Sequence, residues 1–235
     1  MNVHLSLQQY RNQSETAKTQ NNDSSPYING PRIMILGPKD SGKTSIVRSL
    51  ANYAIRQRET PIIINLDPSE GMTTVPGTVS ATSFSKALSP EDGFFSYSLL
   101  GSDGIIDYPL VYHYGYLSPS DQPILYKKIV KNLALGVEKQ LALNNKYLKS
   151  GFIIDTPDLI ESRNYPLLHE IISDFKVVDN ERLFSDFNRH YGQNSSVLVA
   201  KVPKSGGVSL SHHIPTTPPI SPKKMKIEPH PLFLD

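Results

Sequence analysis

A three-layer α/β fold, with helices on both faces of a mostly parallel sheet, is what this sequence predicts, and three observations predict it. Short apolar runs at 33–36, 61–66 and 151–154 have the make-up of strands buried on both faces. Amphipathic stretches follow them, and the first strand, helix and second strand fit within about 35 residues, the spacing of a βαβ unit with a right-handed crossover. A Gly-rich turn joins the first run to its helix.

Taken in order, Val3, Leu5 and Leu7 alternate, which predicts a strand over 2–7. Residues 8–29 are polar and turn-rich and read as a helix fragment followed by a linker. Ile33 to Leu36 form the first buried strand. In the helix after it, Ile46, Leu50 and Ala54 recur at i+4, as do Val47, Ala51 and Ile55, an amphipathic pattern of about four turns. Residues 61–66 (PIIINL) make the second strand, ending at Asp67-Pro68. Gly, Pro, Ser and Asp are frequent through 68–122, which read as loops with short strands. Ile129, Leu133, Val137 and Leu141 lie on one stripe of a helix from Ile124 to Leu143. Residues 151–154 (GFII) form the third buried strand, ending at Asp155-Thr156-Pro157. Leu167, Leu168, Ile171 and Ile172 mark a further helix, Leu183, Phe184 and Phe187 another, and 197–202 (VLVAKV) a last strand. From Ser209 onward Pro, Ser and Lys dominate without a period, and 209–235 read as a disordered tail.

With 235 residues, a formal net charge of +2 and no Cys, the chain has no disulfide, thiolate metal site or Cys nucleophile. The charge is too small to attract nucleic acid by bulk electrostatics. No apolar run approaches the roughly 20 residues of a membrane span, and the N-terminus lacks an apolar signal core. A soluble, intracellular protein without membrane partners is expected.

The turn after the first strand, residues 37–44 (GPKDSGKT), places Gly37, Gly42, Lys43 and Thr44 at the spacing of a phosphate-binding P-loop. Glycines allow the tight turn that points backbone N–H groups at an anion. Lys43 would reach the β- and γ-phosphates, the Thr44 hydroxyl would hold Mg²⁺, and the helix dipole would face the phosphates. Nucleotide binding is a better reading than a plain strand-to-helix turn. The Asn145-Lys146 pair is followed by Tyr147-Leu148 and not by the Asp of a guanine reader, which favours ATP.

Asp67 and Asp155 end buried strands, at the edge where open α/β sheets bind ligands. Each has three open readings: contact with Mg²⁺, acceptance of a proton from an attacking hydroxyl, or capping of a turn. Lys127, Lys128, Lys131 and Lys139 read as a solvated helix face before an RNA track. His113, within LVYHYG, stands evenly between core and surface. Pro222-Lys223-Lys224-Met225-Lys226 has the look of a short nuclear import signal.

Several runs together, 31–44 (PRIMILGPKDSGKT), 66–81 (LDPSEGMTTVPGTVSA), 109–129 (PLVYHYGYLSPSDQPILYKKI), 180–183 (NERL) and 203–208 (PKSGGV), resemble the central domain of the Clp family of polynucleotide 5′-hydroxyl kinases. The resemblance implies a P-loop NTPase-like fold in which Asp40, Ser41, Gly42, Lys43, Thr44 and Ser45 wrap the ATP phosphates. It also implies that Asp67 is the residue that, in active kinases, assists the RNA 5′-hydroxyl and the magnesium shell. Active members phosphorylate that hydroxyl by in-line transfer from ATP. Fungal members are the ATP-binding subunit of the nuclear mRNA cleavage and polyadenylation factor, where ATP is structural and the protein bridges the scaffold and other subunits.

Departures from the kinase pattern favour the non-catalytic, nuclear role, with RNA contact indirect. The Thr-x-Gly-Trp clasp of the kinases is replaced by Thr156-Pro157-Asp158-Leu159, and the chain has no Trp. Their Asp-x-x-Gln run becomes Asp67-Pro68-Ser69-Glu70, and a carboxylate repels a phosphoryl donor where an amide would donate to it. The arginine-bearing lid expected after PKSGGV is absent. Residues 1–29 are expected to be a remnant of an N-terminal domain with its linker, and 30–208 the ATP-binding domain. Only Lys176 to Asp179 separate the helix near Phe175 from NERL, too few for a strand of about five to six residues with its turns; an internal deletion or a gene-model error there is expected. Away from the resemblance, a small-molecule kinase or an assembly GTPase remains open.

Overall fold

The computed structural model describes residues 3–19, 29–87, 109–159 and 164–177, all within one unit spanning Met1–Lys201. The expected helix at 183–187, the strand at 197–202, the PKSGGV run, the tail and half of the expected deletion at 176–179 lie outside these residues.

Among the described residues ten elements appear, in the order α1 (Val3–Thr19), β1 (Arg32–Ile35), α2 (Lys43–Arg56), β2 (Ile62–Asn65), β3 (Thr78–Ser83), β4 (Leu110–His113), α3 (Pro123–Leu143), α4 (Asn145–Ser150), β5 (Phe152–Asp155) and α5 (Tyr165–Asp174). The strands form one sheet in the order β1-β5-β2-β3-β4. β5 lies parallel to both β1 and β2, while β3 is antiparallel to β2 and to β4. Four strands therefore run one way and β3 runs against them. The β1–α2–β2 crossover skips one position, into which β5 inserts with the register Ile35↔Asp155↔Asn65.

Alternation along the strands builds the three layers. Ile62 and Ile64 of β2 and Phe152 and Ile154 of β5 enter a core with Tyr126, Leu133, Val137, Leu168 and Ile171 of α3 and α5. Ile63 and Ile153, facing the other way, pack with Val47 and Ala51 of α2. The strands expected at 33–36, 61–66 and 151–154 and the helices α2, α3 and α5 are thus where the apolar patterns put them. Burial on both faces explains why β2 and β5 read as continuous apolar runs.

The strand expected over 2–7 is corrected: Val3 to Leu7 enter α1. Six residues with Val3, Leu5 and Leu7 fit a period of two, but Leu5 is 53% exposed while Arg11 and Ser14 are buried. Helical spacing therefore sets the inner face. His4 stacks on Tyr53 of α2 at 4.3 Å between ring centroids. Arg11 donates from Nε to Ser150 O (3.0 Å), and Glu59 is buried beside it. Glu59 accepts from Ser150 Oγ (2.9 Å) and pairs with Lys149 (3.3 Å), which also holds Glu15 (3.0 Å). This network fastens α1 to the far end of α2 and to α4. Burial lowers the Arg11 pKa, with Glu59 opposing the shift.

Candidate nucleotide site

β1 ends at Ile35, and residues 36–42 turn the chain into α2. Gly42 caps the helix at φ 82°, ψ 24°, and Asp40 also lies in the left-handed region at φ 58°. A side chain at Gly42 would meet no neighbour within 4 Å, so backbone conformation is what asks for glycine there. At Gly37 the reason is space: a Cβ would stand 2.5 Å from Ser41 Oγ and 3.3 Å from Lys43 Cγ. No side-chain cap closes the start of α2. Its first N–H groups, which no intrahelical carbonyl can reach, are free to face an anion. Ser41 Oγ (2.7 Å) and Lys43 Nζ (3.0 Å) both donate to Pro38 O, which draws the loop around its own backbone.

Thr44, on the first turn of α2, faces the carboxyl edge of the sheet. Its Oγ1 lies 2.7 Å from Asp155 Oδ2 and 2.7 Å from Glu70 Oε2. Asp155 is 1% exposed, and its second oxygen, Oδ1, is buried without a hydrogen-bond partner among the described residues. Burial is the main cause that pushes the Asp155 carboxyl up from 3.8 to about 6. The Thr44 hydrogen bond opposes it, Glu70 and Asp67 add to it, and Lys43 opposes it. Asp67 sits one strand over and is held in a turn of its own, with Oδ1 accepting from Ser69 N (2.9 Å) and Ser69 Oγ (2.6 Å).

The acid-bearing loop is anchored by groups that the sequence did not single out. Asn65 accepts from Asp67 N at 3.0 Å and donates from Nδ2 to Glu70 O at 2.8 Å, so one buried amide sets both acids. Tyr126, fully buried on α3, donates to Leu66 O at 2.7 Å. Its hydroxyl pKa is raised well above 10, by burial first and then by Asp67 and Tyr114. Gly77, in the VPGT run, donates to Pro68 O (2.8 Å) and accepts from Tyr114 N and Gly115 N of the LVYHYG run (both 2.9 Å). Asn65 carried a readable signal: it is the polar residue in the otherwise apolar IIINL run. Glu70 was visible only as a departure from the kinase pattern.

Of the residues expected to act together, Gly37 and Asp40 to Ser45 thus form one loop and helix start, with Asp155 against Thr44. Asp67 reaches Asp155 only through its charge. His113 is exposed, which answers the even choice between core and surface. Lys127 pairs with Glu170 at 2.6 Å, while Lys128, Lys131 and Lys139 are exposed.

A magnesium ion was expected here, and the donor set fits one. No three His, Asp or Glu side chains among the described residues make a self-sufficient metal cage. Mg²⁺, however, is usually held by a hydroxyl, one or two carboxylates, water and the phosphates of its nucleotide. Thr44 Oγ1, the unpartnered Asp155 Oδ1 and Glu70 supply hard oxygen donors of that kind.

The family model for the P-loop of the mRNA cleavage and polyadenylation factor CLP1 matches residues 37–217. The chain belongs to the CLP1 P-loop family. Among curated relatives in that family, it is 38% identical over 208 residues to the CLP1 homolog of Dictyostelium discoideum, covering 86% of this chain and 42% of the relative. It is 36% identical over 218 residues to the CLP1 cleavage and polyadenylation factor of Phaeosphaeria nodorum, covering 88% and 45%. The chain therefore spans less than half the length of these relatives. A solved complex of Clp1p with Pcf11p superposes with a TM-score of 0.62 at 28% identity, over 78% of this chain and 42% of that one. A second, described as an extended Pcf11p–Clp1p interface with the structural basis for ATP loss in a glycine-to-arginine mutant, gives 0.61 at 31%, over 75% and 40%. The CLP1 likeness confirms the P-loop NTPase-like α/β fold expected from the sequence.

Among the described residues no helix is long and apolar enough to cross a membrane.

Proposed function

We propose that this chain binds ATP with magnesium in the loop of residues 37–44. In our reading it serves, without catalysing phosphoryl transfer, as a nuclear subunit of pre-mRNA 3′-end processing that holds other subunits together. The observation that carries the nucleotide is the start of α2, where a left-handed glycine leaves the first amides uncapped beside Lys43 and Thr44. Phosphate oxygens suit those amides and the helix dipole. Gly37, Asp40, Ser41, Gly42, Lys43, Thr44 and Ser45 would wrap the phosphates, with Lys43 Nζ leaving Pro38 O to meet them. Bound magnesium would neutralise phosphate charge at the Thr44 hydroxyl.

Two features support a held nucleotide over a transferred one. Glu70 puts a carboxylate where the kinases carry an amide, and Pro157 follows Thr156 where they carry the clasp that ends in Trp. Thr156 donates to Ile35 O at 2.7 Å, a bond that ties β5 to β1 and takes up its hydroxyl. The partner role rests on relatives named as cleavage and polyadenylation factors and on neighbours solved with Pcf11p.

One placement favours the second reading, an active polynucleotide 5′-hydroxyl kinase. Asp67 follows β2 at the same sheet edge as Asp155, with Ser69 and Asn65 fixing its turn, which supports a reading in which it would act as base for an attacking hydroxyl. A labelled-phosphate assay from ATP onto 5′-hydroxyl RNA decides between them. Background-level transfer together with measurable ATP binding is expected; robust transfer abolished by Asp67→Ala would overturn the non-catalytic role.

A further inference from the structure

We infer that Glu70 binds the divalent cation of the bound nucleotide directly, together with Thr44 and Asp155, so that its effect on ATP affinity reverses sign when the cation is removed. The inference rests on the nucleotide-binding reading and adds a residue to its cation site.

Thr44 Oγ1 stands 2.7 Å from a carboxylate oxygen on each side, Asp155 Oδ2 and Glu70 Oε2. A hydroxyl has one proton to donate. The second short contact therefore brings lone pairs together unless a carboxyl proton or a metal cation sits among the three oxygens. Asp155 adds an independent sign of the same need: its Oδ1 is buried and has no hydrogen-bond partner among the described residues, and the residue is 1% exposed. Leaving such an oxygen unmatched is unfavourable, and a cation held at this edge would satisfy it. Lys43 donates instead to Pro38 O.

Asp67 was the carboxylate first expected at the metal. Its Oδ1 is occupied by the Ser69 amide and hydroxyl, whereas Glu70 already reaches Thr44 from an exposed position open to water. Asn65 holds the Glu70 carbonyl and not its carboxylate, so the side chain can be changed without undoing the loop. Near a polyphosphate, Glu70 repels when no cation intervenes and bridges when one does. A Gln in its place would remove both effects.

The test titrates ATP into the wild-type chain and into Glu70→Gln by calorimetry, once with excess Mg²⁺ and once in EDTA. Mn²⁺ binding to each ATP-loaded protein is followed by the electron paramagnetic resonance of free Mn²⁺. Loss of a charged ligand is expected to weaken Mn²⁺ binding by about tenfold, while ATP in EDTA binds the variant several-fold more tightly than wild type. Mn²⁺ affinity that is unchanged, or ATP binding that tightens in both buffers, would show Glu70 to be only repulsive and overturn the inference. Wild-type protein that binds no ATP in either buffer would overturn the nucleotide-binding reading itself, a different failure from wild type that binds normally and a variant that does not respond.

Discussion

Replacing Asp155 by Asn should stabilise the metal-free protein at neutral pH, even though it removes a carboxylate from the site. Burial, with smaller contributions from Glu70 and Asp67, raises this carboxyl from 3.8 to about 6 against the Thr44 bond and Lys43. Each pKa unit is worth about 1.4 kcal/mol, so carrying the ionised group at pH 7.5 costs the fold about 3 kcal/mol relative to the unfolded chain. The sign follows from proton binding. Between about pH 4 and 6 the folded state keeps a proton that the unfolded chain has lost, so stability is highest below that window and falls as pH rises through it. The amide of Asp155→Asn would be neutral throughout and could still accept from Thr44. Because the chain has no Trp, urea denaturation in EDTA would be followed by circular dichroism at pH 4 and pH 7.5. The variant should match wild type at pH 4 and exceed it by up to about 3 kcal/mol at pH 7.5, or roughly 6–12 °C in Tm for a domain of this size. A gain of equal size at both pH values, or a loss at pH 7.5, would refute the buried charge as the cause.

Lys43→Ala should reduce ATP affinity in magnesium by at least several-fold, because the phosphates lose a charge-assisted partner; unchanged affinity by calorimetry would contradict the placement of the phosphates. Asn65→Leu removes the amide that holds both Asp67 N and Glu70 O. It should destabilise the fold by about 1–3 kcal/mol and weaken ATP binding further in magnesium, as read from denaturation and calorimetry together. Glu59→Ala deprives Lys149 and Ser150 of a buried partner and Arg11 of its neighbouring countercharge. A loss of about 3 kcal/mol is expected, with hydrogen exchange showing earlier opening of α1 than of β2.

How far the sequence could be read depends on how much of each element's environment is local. β2 and β5 are buried on both sides, so Ile62 to Ile64 and Phe152 to Ile154 announce themselves as runs. The stripe of α3 from Ile129 to Leu141 is as direct. β3 reads as TVSATS, with Val79 and Ala81 in the core. Its other face is covered by hydroxyls: Ser80 on Thr73 and Thr78 on Thr74, both at 2.6 Å. Those buried Ser and Thr look like loop residues until their partners are known. α1 failed for a similar reason, since a charged residue, Arg11, marks its inner face and its partners lie at Ser150 and Glu59. At the site, the loop and Lys43 follow from spacing, but the meeting of Thr44 with Asp155 depends on β5 inserting between β1 and β2, which no local pattern encodes.

The acids at Thr44 connect stability with ligand binding under the proposed function. Three features are each unfavourable alone: one hydroxyl between two carboxylates, a buried unpartnered oxygen, and a carboxyl ionised against its burial. A doubly charged cation held by phosphates answers all of them together. Bound ligand stabilises the folded chain by mass action, opposing the roughly 3 kcal/mol that the Asp155 charge removes. The site therefore gains most when nucleotide and cation stay bound. A kinase must release product each cycle and return to the repulsive state. A subunit that holds its nucleotide returns to it rarely, and can carry Glu70 beside Asp155 where a fast-cycling enzyme gains from an uncharged amide.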